Sequence, residues 1–148
     1  MEICRNNLKD QRGVTMLELL VAIAIFGLLA FLIAPSFALL RKNVALGNAG
    51  QELQSALRLA QNRAFVAQGG AGASHGIQLE SDRYIILGGS QPQTIYLPHG
   101  VTVSGGAGQT ITFTRLTGLP DSAQDVVLAA GSDSKMVRVD ASGLISLP

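Results

Sequence analysis

The chain has little with which to carry out covalent or metal chemistry. Its 148 residues include one cysteine and two histidines. Cys4 precedes Gly13, so a chain beginning at Val14 holds no thiol and forms no internal disulfide. The cysteine count is therefore silent on redox compartment. His75 and His99, with no cysteine near them, give no zinc site of recognisable spacing. Neither sign of charge is in marked excess: the net charge is +1, which points to no polyanionic partner. From Gly69 onward four bases (Arg83, Arg115, Lys135, Arg138) stand against six acids (Glu80, Asp82, Asp121, Asp125, Asp133, Asp140), a balance of −2.

The remaining chemical motifs dissolve on inspection. Gly72-Ala73-Ser74-His75-Gly76 fits G-x-S-x-G, and Asp82 and His99 follow in the order of a hydrolase triad. That motif needs a strand before it and a helix after it. Here a helical pattern and a glycine run precede it and a strand pattern follows, so it reads as a loop. Asp121 with Asp125, or Asp133 with Asp140, offers oxygens of the kind calcium takes, but at no fixed ligand spacing. They read as solvated loop acids. The glycine clusters open no helix whose N-terminus would hold a phosphate. No catalytic residue, metal or cofactor is expected.

What the chain does have is one long apolar run. Thirteen mostly polar residues end at Gly13, and from Leu19 to Leu40 there is no charge. That is about the 20 residues a helix needs to cross a bilayer core. Glu18 stands at the entrance of the run, where an ionisable side chain is expensive. A carboxylate one turn into a helix lies in the favourable field of its N-terminus, which alone does not offset burial in lipid. Arg5, Lys9 and Arg12 before the run outnumber Arg41 and Lys42 after it, which favours a cytoplasmic leader. Two other readings exist. A secretory signal would be cut after Ala38, with Ser36-Phe37-Ala38 as its small-residue site. An unprocessed anchor would keep the whole run.

Gly13, Thr15, Glu18 and Pro35, taken together, resemble the signal of type IV pilins and type II secretion pseudopilins. The resemblance implies cleavage by a prepilin peptidase between Gly13 and Val14 and N-methylation of Val14. It also implies that Glu18 faces a neighbouring subunit's N-terminal amine during assembly. Valine replaces the phenylalanine commoner after the cut. Pro35 lacks an N–H and crowds the carbonyl of Phe31, so a helix bend is expected there. With Gly27 it brackets a stretch that, in resembling filaments, unwinds on assembly. Ala30, Ala34 and Ala38 form a small-residue stripe suited to close helix contact.

From Val44 to Gln68 apolar residues recur at helical spacing: Leu46, Ala49, Leu53, Leu57, Ala60 and Ala64, with Ala56 and Phe65 beside them. This is an amphipathic helix with one face to bury. Gly47 and Gly50 weaken it, each by about 1 kcal/mol relative to alanine, so a kink or looser turn is expected there. Gly69-Gly70-Ala71-Gly72 ends it. Short alternating strands follow at Ile77–Glu80, Arg83–Leu87, Thr94–Leu97, Val101–Val103, Thr110–Thr114, Val126–Ala129, Met136–Val139 and Leu144–Leu147. Their Gly-containing turns read as hairpins, including one across Pro98-His99-Gly100. The helix would cover one sheet face.

LQSALRLAQNRAFVAQG and the later segments GIQLESDRYIILG, IYLPHGVTV, ITFTRLTG and VRVDASGLISL resemble the GspH/FimT minor pseudopilins. The expected fold is α+β: a long N-terminal helix packed on a C-terminal antiparallel sheet domain. The expected parts are a leader (1–13), a transmembrane and assembly helix (14–40), an amphipathic helix (41–68) and a β-rich domain (69–148). The resemblance implies a minor pseudopilin of a type II secretion pseudopilus, single-pass in the bacterial inner membrane with its C-terminal domain periplasmic. Its partners would be prepilin peptidase, the membrane and the other pseudopilins or pilins of the filament. The alternative is a FimT-like minor pilin of a type IV pilus, with or without DNA uptake. FimT-type proteins carry arginine after a C-terminal glycine, whereas Gly143 is followed by Leu144-Ile145-Ser146. Nucleic acid is not an expected partner.

Overall fold

The computed structural model describes residues 14–66, 74–89 and 91–148, with the side chains of 33–39 set aside. The chain divides into two compact units between Ala38 and Leu39. One helix, α1, spans Met16–Phe65. In the first unit its leucines, isoleucines and valines are exposed on every side, from Leu17 to Leu32. A helix apolar all round needs a non-aqueous surrounding. Among the described residues no helix is long and apolar enough to cross a membrane. The uncharged run read from the sequence includes residues 33–39 and so lies partly outside them. α1 is helical through both Gly27 and Pro35, but the side chain of Pro35, like those of Ser36 to Ala38, lies outside the described residues.

In the second unit α1 buries the expected stripe: Leu46, Ala49, Leu53, Ala56, Leu57, Ala60 and Ala64. Phe65 departs from expectation and is 61% exposed. It follows Ala64 immediately, and one helical step of about 100° carries it off the buried face. α1 is helical through Gly47 and Gly50, with no looser turn between them, and Gly50 packs closely. A Cβ at Gly50 would come within 3.2 Å of Leu147 Cδ1. The glycine lets the C-terminal segment settle on the helix. α1 stops at Phe65, and Gly69 to Gly72 lie outside the described residues. Its end is met by the chain itself: the Leu116 N–H donates to the Ala64 carbonyl at 3.0 Å. Leu116 does so with a φ of 70°, the left-handed region that non-glycine residues seldom enter.

Among the described residues eight strands follow: β1 (His75–Leu79), β2 (Arg83–Leu87), β3 (Gln93–Tyr96), β4 (Thr102–Gly105), β5 (Thr110–Phe113), β6 (Gln124–Ala130), β7 (Asp133–Val139) and β8 (Ile145–Ser146). They form two four-stranded sheets, ordered β3-β2-β1-β5 and β4-β6-β7-β8. All the pairings are antiparallel. Among the strands, β1 and β2 pair across Ser81-Asp82, β6 and β7 pair with each other, and β7 and β8 pair across Ala141-Ser142-Gly143. The expected hairpin across Pro98-His99-Gly100 does not form. Val101 N–H turns back to the Pro98 carbonyl at 3.0 Å, and Val103 N–H takes the Ser81 carbonyl at 2.9 Å. The chain thereby leaves the edge of the first sheet and crosses to the second, where β4 pairs with β6. β5 then returns to the first sheet beside β1. In that pairing a Cβ at Gly76 would lie 2.2 Å from the Ile111 carbonyl oxygen, so only glycine fits.

The two sheets and the helix stripe share one core. Ile77, Leu79, Tyr84, Ile86, Ile111 and Phe113 come from the first sheet, and Val103, Val126, Leu128, Val137, Val139 and Ile145 from the second. One helix face is too narrow to cover eight strands laid in a single sheet. Folding them into two closes that gap. β2, β5 and β6 alternate buried residues with less buried ones, as burial of one face requires.

Tyr84 is 1% exposed, and its hydroxyl has no hydrogen-bond partner among the described residues. Burial pushes its pKa up, and the Glu52 carboxylate adds to the shift. In the unfolded chain the phenol ionises near about pH 10. The folded value is higher, so stability is complete below about pH 10 and falls as pH rises through the folded value. Tyr84→Phe should lessen this alkaline loss and cost under about 1 kcal/mol at neutral pH, because it removes an unpaired hydroxyl. Denaturant melts of the full chain in detergent at pH 7 and pH 11 check it. A large loss at pH 7 would show that the hydroxyl is bonded.

Candidate functional site

The first described residues build a small, closed hydrogen-bond motif. Thr15 precedes the first helical residue and Glu18 is the third. Glu18 Oε2 accepts the Thr15 N–H at 2.9 Å and the Thr15 hydroxyl at 3.1 Å. Thr15 Oγ1 in turn accepts the Glu18 N–H at 3.2 Å. This reciprocal arrangement is a capping box, which satisfies two of the amide donors that a helix N-terminus leaves free. The carboxylate also places negative charge at the positive end of the helix dipole.

The signal for this was in Thr15-Met16-Leu17-Glu18, a T-x-x-E just before an apolar run. The sequence reading assigned Glu18 a partner outside the chain and did not see the local one. The two uses are compatible in place. A carboxylate folded back onto Thr15 N–H lies one residue from Val14, which is exposed. Gly13, the other half of the expected cleavage site, lies outside the described residues.

Residues 8–34 match the family described as Prokaryotic N-terminal methylation motif. The matched stretch contains the Gly13–Val14 junction, Thr15, Glu18 and Gly27. It is a prepilin-type signal, and it supports a type IV pilin-like protein that is processed by prepilin peptidase and assembles with other pilins. Proteins bearing this motif are structural. No curated protein and no solved structure matches the chain.

The second unit brings few of its charges together. Arg138 forks onto Asp125, with Nε to Oδ1 at 2.8 Å and the second contact at 2.9 Å. The guanidinium holds the Asp125 carboxyl below its ordinary range. Arg83 bonds Glu80 at 2.6 Å and lies 5.7 Å from the centre of the Tyr96 ring. Asp121 accepts from the hydroxyls of Thr112 and Thr114, which ties the start of the β5–β6 connection. Among the described residues no group of three or more His, Cys, Asp or Glu is placed to hold a metal. Ser74 is exposed and His75 is buried inside β1, so a strand follows the G-x-S-x-G sequence; Gly72 and Ala73 lie outside the described residues.

Replacing Thr15 with alanine removes one side of the capping box. Such substitutions cost about 0.5–2 kcal/mol of helix stability. Amide hydrogen exchange of the full chain should show reduced protection in the first turn, Met16 to Leu19, with no change in β6 or β7.

Proposed function

We propose that this chain is a minor pseudopilin of a type II secretion pseudopilus, acting by assembly with other pseudopilins in protein export. The observation that carries the reading is the methylation motif at residues 8–34, which takes in the first part of α1, in a chain whose later strands form two sheets. In this reading prepilin peptidase cuts between Gly13 and Val14, and Val14 is N-methylated. α1 then anchors the protein in the inner membrane, with the sheet domain periplasmic. Glu18 pairs with the α-amine of a neighbouring subunit, and Gly27 and Pro35 mark where the helix bends or unwinds in the filament.

The secretion role is favoured over a DNA-uptake pilin by charge. Arg138 is engaged by Asp125, so it is not free for phosphate, and no arginine follows Gly143. A surface that neutralises few phosphates gains little from counterion release. The absence of a marked basic excess fits a protein whose partners are other subunits.

Expression of the full chain beside a prepilin peptidase should give a mature product starting at Val14, one methyl heavier at its amine, by intact-mass and N-terminal analysis. A start at Leu39 would mark an ordinary secretory signal instead.

Glu18→Gln keeps much of the capping box, because glutamine serves at this position, but loses the charge. Glu18→Ala loses both. If pairing with a neighbour's amine governs assembly, the two variants should enter filaments equally poorly while still inserting into membranes. Incorporation is read by co-purification with a type II secretion pseudopilin set and, separately, with a type IV pilin set. Entry into the second alone would move the protein to a pilus. Normal entry of Glu18→Gln would assign Glu18 to capping only.

A further inference from the structure

At the start of the second unit, Leu40, Arg41, Val44, Ala45 and Asn48 of α1 and Pro98 of the β3–β4 crossing line an open groove of about 420 Å³. Its walls are mostly apolar, with Leu40 58% and Val44 52% exposed. Arg41 is the single charged residue in the lining, and no acid faces it there. Lys42, also exposed, is next in the chain. These two bases are the first charges after the uncharged run that ends at Leu40.

We infer that this groove receives an anionic phospholipid, with the phosphate on Arg41, the upper acyl methylenes against Leu40, Val44 and Pro98, and Lys42 adding positive charge beside the groove. The inference rests on the membrane-anchored reading given above. Dimensions support it. From Leu40 to Val44 a helix rises about 6 Å at 1.5 Å per residue. The headgroup zone on each side of a bilayer is about 5–8 Å thick, the difference between about 40–45 Å overall and a 30 Å core. A run ending at Leu40 therefore sets the groove within that zone.

The chemistry is equally restrictive. A free phosphate is held by converging donors, and this groove supplies one guanidinium beside apolar walls. A zwitterionic lipid brings the same phosphate with its own cation beside it, which competes with the guanidinium for that charge. An amphiphile with an anionic head matches both parts at once. Bases on the non-cytoplasmic side run against the usual topology bias, and attraction to anionic headgroups offsets that.

The test uses the full chain. Flotation with phosphatidylcholine vesicles first establishes anchoring, for wild type and for the Arg41→Gln/Lys42→Gln double variant. Native mass spectrometry from detergent then titrates phosphatidylglycerol against phosphatidylcholine of the same acyl chains. Each base near an anionic surface contributes about fivefold in binding. Wild type should therefore prefer phosphatidylglycerol by about 30-fold, Arg41→Gln by about fivefold, and the double variant not at all. Inorganic phosphate should not displace the lipid. Equal binding of both lipids by wild type, or an unchanged preference in the double variant, overturns the inference while leaving anchoring intact. Failure of the wild type to float overturns both. Efficient dimer crosslinking through Asn48→Cys in phosphatidylglycerol vesicles would give the groove to a second copy of the chain and also overturn it.

Discussion

Close approach of α1 to the sheets is the constraint from which the second unit follows. Of the eight buried positions described on the helix, four are alanine (Ala49, Ala56, Ala60 and Ala64) and one is Gly50. The four alanines share one buried cluster with Leu53, Leu57 and residues of both sheets. Burial of these residues supplies the driving force, about 25 cal/mol per Å² of apolar surface removed from water. At this separation polar side chains on the flanks of the helix also reach backbone groups. Gln54 donates to the Ile145 carbonyl at 3.1 Å, and Arg58 donates to the same oxygen at 3.3 Å. Gln61 donates to the carbonyls of Gly118 at 3.0 Å and Gly143 at 2.8 Å.

These contacts explain the local backbone. A Cβ at Gly143, whose φ is +83°, would come within 2.9 Å of Gln61 Nε2. The turn between β7 and β8 thus needs glycine both for its conformation and for the helix side chain above it. Leu116 has no such freedom and is held at positive φ while its N–H reaches Ala64. The loop joining β5 and β6 and the turn before β8 therefore meet the same stretch of α1, which locks the ends of both sheets to one helix.

Much of this was legible in the sequence because burial leaves a period. The 3.6-residue recurrence from Leu46 to Ala64 placed the helix face, and β-branched alternation located all eight strands within a few residues. What was not legible was which strands pair. Pro98-His99-Gly100 has the composition of a hairpin turn, but pairing is decided by distant partners, here β6 for β4. Gly47 and Gly50 show a second limit. Glycine in a helix signals either weakness or close approach, and only Leu147 above Gly50 distinguishes them. Glu18 shows a third. Its four-residue motif with Thr15 points to a local cap, whereas a charge at the edge of an apolar run points to an external partner.

The capping box has a consequence for timing. Every donor and acceptor in it belongs to Thr15 or Glu18, and none comes from residues before Val14. A helix start organised this way is indifferent to what is attached upstream. Loss of residues 1–13 would leave the Thr15–Glu18 hydrogen bonds with all their own donors and acceptors. Maturation would then alter only the chemistry of the chain's tip, from a peptide linkage to a free amine, and present it on a scaffold already formed.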